Sequence, residues 1–232
     1  MMEMNYSETP WILSESCPCD LHFVEYLELK QLTNKLIFHF GTGVHHHVGK
    51  NNYERGNLNE IIGITVCKEE HDAYLDFVIS TPVAANFYKV WFADIYTLSA
   101  RMMPTFDIVT LFHLCEGYDE PPCYDDGCRT APRAAVRLNS AYAALNDVTL
   151  LELFLGKLAP DGKLLFYTGS DAFCDAPHQA ERLISKFVHT GRMVVEETYK
   201  SLMVCSVQAR QAGKIGAFQE MDIAMGIKGD RS

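Results

Sequence analysis

Gly41 and Gly43, in the stretch Leu36-Ile37-Phe38-His39-Phe40-Gly41-Thr42-Gly43-Val44, are the residues best able to bring a ligand against the backbone of this chain. An apolar run that stops at Gly-x-Gly reads as a buried strand ending in a tight turn. Two glycines past its carboxyl end leave room for a ligand's backbone or ribose to approach closely. His45, His46 and His47 follow directly and have the chemistry of metal ligands. Adjacent helical positions point about 100° apart, so three in a row cannot face one ion. They are read as polar loop residues lining a cleft. Cys17-Pro18-Cys19 lacks the two-residue spacing and the matching second pair of a zinc knuckle. Cys123 and Cys128 are read as packing residues, and no metal site is expected.

The elements that must position the glycine turn alternate along the chain. Ile61 to Val66 reads as the second strand and Lys68 to about Ser80 as the helix after it, with Ala73, Tyr74, Phe77 and Val78 on one face and Pro82 ending it. Lys89 to Ala93 is the third strand, running into Asp94-Ile95, and Phe106 to Phe112 is the fourth, running into His113. A helix from Val148 to Leu158, a turn at Ala159-Pro160-Asp161-Gly162, a fifth strand from Lys163 to Thr168 and a helix from Asp175 to Thr190 complete the alternation. Strands alternating with helical crossovers make a mostly parallel sheet. Val194 to Tyr199 and Leu202 to Gln208 flank Lys200-Ser201 as a hairpin, which adds one antiparallel strand at the sheet's edge. The crossover after Gly43 holds two Gly and several Asn, each costing a helix about 0.5 to 1 kcal/mol relative to Ala, so it is expected to be short or distorted.

Three segments stand outside this alternation. Residues 1–34 are expected to lie against the sheet or over the cleft, and residues 209–232 form a tail. The Pro-, Gly- and Asp-rich stretch Gly117 to Arg129, with the helix after it to residue 145, reads as a substrate lid. At 232 residues the chain fits one domain. Its net charge of -10 argues against attraction to nucleic acid or an anionic membrane. No apolar run reaches spanning length and the first residues carry no export pattern, so a cytoplasmic location is expected. Cys67, Cys115 and Cys205 lie in apolar runs, as small buried hydrophobes do, and no disulfide framework is expected.

With these strands placed, residues 35–208 resemble the Rossmann-like (class I) S-adenosylmethionine-dependent methyltransferases. Phe38-His39-Phe40-Gly41-Thr42-Gly43 looks like the family's glycine motif, and Gly63-Ile64-Thr65 is similar to the end of its second strand. Ala93-Asp94-Ile95-Tyr96-Thr97-Leu98 resembles the segment whose Asp meets the adenine. Phe106-Asp107-Ile108-Val109 and Leu158-Ala159-Pro160-Asp161-Gly162-Lys163-Leu164 resemble its fourth strand and the turn before its fifth. The departures are His39, where the family usually has an acid, His45, where it usually has a third glycine, and Thr65, where it usually has an acid for the ribose hydroxyls.

The resemblance implies an α/β, Rossmann-like, seven-stranded sheet with one antiparallel edge strand and helices on both faces. It implies S-adenosylmethionine as cofactor, held by Phe40, Gly41, Thr42, Gly43, Thr65, Asp94, Ile95 and Phe112. Asp94 would accept from the exocyclic amine, and Ile95 would lie on the purine. The activity implied is methyl transfer to a small-molecule acceptor, with His113, Glu116 and Tyr118 as the candidates for deprotonating or orienting it. Each of the three also has a structural reading, stacking for His113 and lid anchoring for the other two. The partner is a small molecule, with neither nucleic acid nor membrane, and a homodimer is allowed. The competing reading is a catalytically inactive binding or scaffolding protein on the same fold. A nicotinamide-dependent oxidoreductase fits less well, because the third glycine of Gly-x-Gly-x-x-Gly falls on His46.

Overall fold

The computed structural model describes residues 18–112, 114, 147–169 and 179–207. The lid stretch, both termini, His113, Glu116 and Tyr118 lie outside the described residues. Five α-helices and seven strands are described: α1 (Pro18–Leu29), β1 (Leu36–Phe40), α2 (His47–Glu54), β2 (Glu60–Thr65), α3 (Lys68–Ser80), β3 (Tyr88–Phe92), β4 (Phe106–Leu111), α4 (Asp147–Leu155), β5 (Leu158–Tyr167), α5 (Gln179–His189), β6 (Met193–Tyr199) and β7 (Leu202–Val207). None of these helices is long and apolar enough to cross a membrane.

The strands form one sheet in the order β3-β2-β1-β4-β5-β7-β6. β1 through β5 run parallel, and β7 pairs antiparallel with both β5 and β6 at that edge. The chain builds outward from β1 to β3 and then returns to place β4 on the other side of β1. The order therefore reverses between β1 and β4, and that crevice, outside the carboxyl ends, is where an open α/β sheet takes its ligand.

Side chains along β1 alternate between two cores, as the period-2 geometry of a strand requires. Phe38 faces α4 and α5, its ring centroid 4.7 Å from Phe154 and 5.4 Å from Phe106. Ile37 faces the other layer, with Phe23 and Leu27 of α1, Val48 of α2 and Tyr74 of α3. His39 falls on this second face too, stacked on Phe23 at 6.0 Å and buried between α1 and the sheet. α1 thus contributes a wall of the core.

Two sequence expectations change, at β5 and at Cys67, and one, the short α2, stands with a packing reason added. β5 begins at Leu158, with the Ala159 to Gly162 turn absorbed as a bulge between the pairs Phe106↔Leu158 and Ile108↔Lys163. Asp161 carries it with φ 65, and a Cβ on Gly162 would lie 2.9 Å from the Ala159 carbonyl oxygen. α2 is short, as the Gly and Asn content implies, but Gly49 has a packing reason: a Cβ there would lie 2.3 Å from the buried Tyr88 ring. Cys67 is disulfide-bonded, its partner outside the described residues, which corrects the reading of it as a plain hydrophobe, whereas Cys205 is free and buried.

Leu58 carries avoidable strain. Its φ is 57 and its side chain is 52 % exposed, beside a cavity of about 260 Å³ at the amino-terminal rim of the sheet. The left-handed conformation costs an L-residue about 1 to 2 kcal/mol, less for Asn. Leu58→Asn is expected to raise Tm by about 2 to 4 °C, measured by thermal melts; an unchanged or lower Tm would contradict this.

Candidate functional site

The turn after β1 is shaped by two positive φ angles, 97 at Gly41 and 57 at Gly43, a conformation glycine adopts without strain. A Cβ at Gly43 would meet nothing within 4 Å, so the backbone there borders open space. Thr42 between them turns inward and is 1 % exposed. Its methyl group sits over Gly63 of β2, where a Cβ would be only 2.5 Å from Thr42 Cγ2. Gly63 is therefore what lets the turn lie down on the second strand.

The Thr42 hydroxyl donates to Glu70 Oε2 at 3.1 Å, and the Thr65 hydroxyl donates to the same oxygen at 2.6 Å. Thr65 Oγ1 also accepts from Cys67 N at 3.0 Å, which commits its own proton to Glu70. Glu70 sits in the first turn of α3, where the helix dipole favours a carboxylate. So the acid missing from the end of β2 is supplied from the helix that follows, half-exposed and tied to both the glycine turn and Thr65. Sequence reasoning missed it. The only signal was Glu69-Glu70 just after the strand, and spacing alone does not say which of the two faces the turn.

His46 corrects the reading of the three histidines as cleft-lining loop residues. It is 1 % exposed and precedes α2 with φ 48. Its Nε2 lies 2.5 Å from the Glu70 carbonyl oxygen and its Nδ1 2.6 Å from the Tyr88 hydroxyl. The carbonyl can only accept, so Nε2 carries the proton and donates, while Tyr88 O–H donates to Nδ1. Burial pushes the pKa down to about 4, opposed by the bond to the Glu70 carbonyl and aided by Lys50, His45 and His71. His46 is a neutral tie between the glycine turn, α3 and β3. His45 and His47 are half-buried, and burial lowers the pKa of His47 as well.

Asp94 follows β3 and caps a short 3-10 turn, its Oδ1 accepting from Tyr96 N at 2.9 Å. It is half-exposed, and its second oxygen has no hydrogen bond among the described residues. Because β1, β2 and β3 are parallel neighbours, Phe40 to Gly43, Thr65, Glu70 and Asp94 all fall at one rim of the sheet. Ile95 and Phe112 are placed differently. Ile95 is 3 % exposed in the core under α4, and Phe112 is 1 % exposed with its ring 5.8 Å from Phe23 and from His39. Among the described residues no group of three or more His, Cys, Asp or Glu could hold a metal ion. The rim offers carboxylate acceptors beside an open glycine backbone, which suits a ligand bringing hydroxyl and amine donors.

No family model and no curated protein matches the sequence. Solved structures do resemble the fold. An S-adenosylmethionine-dependent methyltransferase from Clostridium acetobutylicum is 9% identical, covering 86% of this chain and 95% of its own, with a TM-score of 0.53. TrmN from Thermus thermophilus is 12% identical over 79% of this chain, with a TM-score of 0.48. This chain spans about half of that protein, 48% of its length. The ribosomal protein L11 methylase from Lactobacillus delbrueckii subsp. bulgaricus is 10% identical over 83% of this chain and 80% of its own, with a TM-score of 0.48. Strand order, the crevice between β1 and β4 and the overlap with the Clostridium acetobutylicum enzyme agree: the chain has the Rossmann-like fold of the class I S-adenosylmethionine-dependent methyltransferases.

Proposed function

We propose that the protein binds S-adenosylmethionine and catalyses transfer of its methyl group to a small-molecule acceptor. The observation that carries this reading is the pair of carboxylates, Glu70 and Asp94, standing past β2 and β3 on the rim that also holds the open Gly41-Thr42-Gly43 turn. When bound, the sulfonium supplies an electrophilic methyl carbon. The chain's residues then have positioning to do: Asp94, past β3, would accept from the exocyclic amine, Glu70, past β2, from the ribose hydroxyls, and the glycine turn, past β1, would lie along the part of the ligand beyond the ribose. A net charge of -10 favours a small acceptor over a nucleic acid. The competing reading, a binding protein that has lost the chemistry, shares this site and differs only in turnover.

Calorimetry with S-adenosylmethionine and S-adenosylhomocysteine tests the proposal. Both are expected to bind, and Asp94→Ala is expected to weaken them about tenfold through loss of a charge-assisted hydrogen bond of about 1.5 kcal/mol. No heat with either ligand at millimolar concentration sinks the proposal; equal binding by Asp94→Ala sinks the adenine placement alone.

A further inference from the structure

The rim has a second half, past β4, and one side-chain pair there is suited to proton chemistry. β7 starts where β5 ends, with Tyr167 opposite Leu202, so the turn joining β6 to β7 returns to the carboxyl rim. Ser201 in that turn is fixed by its carbonyl, which accepts from Thr168 N at 2.8 Å and from Thr168 Oγ1 at 3.0 Å. Its hydroxyl lies 2.6 Å from Nδ1 of His22 on α1. Two residues earlier on the same helix, Asp20 reaches His39 of β1, 3.5 Å from Nε2. Positions two apart on an α-helix point about 200° apart, so α1 turns Asp20 to β1 and His22 to the β6–β7 turn at the carboxyl end of β5.

We propose that His22, oriented by Ser201, is the base that takes the proton from the methyl acceptor, in a subsite at the β5–β7 end of the rim. This rests on the methyltransferase reading given above. In the tautomer with Nδ1–H donated to Ser201 Oγ, the lone pair of Nε2 is left without a partner among the described residues, on a half-buried ring. A base must stand within hydrogen-bond reach of its proton and be unprotonated at working pH. Burial and Lys200 lower the pKa of His22, and Glu25 opposes them, so the ring is neutral at pH 7. Lys200 and Glu25 are themselves ion-paired. The substrate class is an acceptor with an ionisable O–H or N–H. Its proton passes to Nε2 as its electron pair forms the bond to the methyl carbon, and the carbon–sulfur bond breaks with its pair left on sulfur. The imidazolium afterwards loses the proton to water.

The test uses the full chain, with His22→Gln and Ser201→Ala beside the wild type. Calorimetry with S-adenosylhomocysteine reports the cofactor site, and NMR titration of the His22 ring reports its charge. Turnover of phenol, catechol, primary amine and thiol probes is followed from pH 6 to 10. Expected are unchanged nucleoside affinity, a His22 ring that titrates below 6.5, and His22→Gln slowed about a hundredfold or more at pH 7 on phenols. That variant should regain rate as the acceptor ionises unaided, and should lose little on thiols, which ionise nearer neutrality. A His22→Gln profile matching the wild type overturns the proposal, as does a ring still charged at pH 7. A wild type that binds the nucleoside yet methylates no protic probe overturns it too. Absence of nucleoside binding instead overturns the methyltransferase reading, and this proposal with it.

Discussion

Glu70→Ala is expected to bind S-adenosylhomocysteine about a hundredfold more weakly than the wild type, the largest loss at the nucleoside end of the site. Two effects combine. The first is loss of a charged acceptor for ligand hydroxyls, about 1.5 to 3 kcal/mol. The second is that Thr42 and Thr65, both buried, lose the oxygen to which both donate. An orphaned buried donor costs about 1 to 3 kcal/mol, and Thr42 lies between the two glycines whose backbone meets the ligand. Glu70→Gln keeps one acceptor oxygen and the side chain's volume, so its loss should fall between wild type and alanine. Calorimetry on all three, with thermal melts to show that each is folded, decides the matter. If Glu70→Ala is folded and binds as tightly as wild type, the carboxylate is a structural strut and the ribose is held elsewhere.

What the sequence made legible follows from what is local in it. β1 ends at Phe40 and α3 runs from Lys68 to Ser80 as read, because continuous apolar runs and Pro82 are signals confined to the segment that bears them. The carboxyl-end placement of Gly41, Thr65 and Asp94 was legible too, since it needs only strand order. Glu70 and His46 were not. Their roles are fixed by where a loop and a helix start meet in space, and the three histidines read alike until one takes φ 48 and turns under the sheet's edge. Ile95 and Phe112 show the same limit from the other side. They neighbour rim positions in sequence, yet both are buried, Ile95 in the core under α4 and Phe112 against Phe23 of α1. His22 and Ser201 are 179 positions apart and joined only by the tertiary fold.

Acid should destabilise this protein over a window set by His46. Its folded-state pKa of about 4 lies below the value of 6.5 expected for the unfolded chain, and burial is the main cause. A group depressed in this way contributes its full stability above pH 6.5 and loses it as the pH falls towards 4, because the unfolded chain takes up a proton that the folded one refuses. The difference amounts to about 3 kcal/mol across the window, at about 1.4 kcal/mol per pKa unit. Its structural origin is the desolvation of a ring only 1 % exposed. Protonation would also take away the Nδ1 lone pair to which the Tyr88 hydroxyl donates. Urea unfolding at pH 7.0, 6.0, 5.0 and 4.5 measures the slope. His46→Asn is the control, since Asn tolerates the positive φ and does not titrate. Carboxylates titrate in both proteins and cancel in the comparison. The wild type should therefore lose more stability than His46→Asn between pH 6.5 and 4.5, even if the variant starts lower at pH 7. Parallel slopes would mean that His46 titrates alike in both states, and that its two short hydrogen bonds do not hold it neutral.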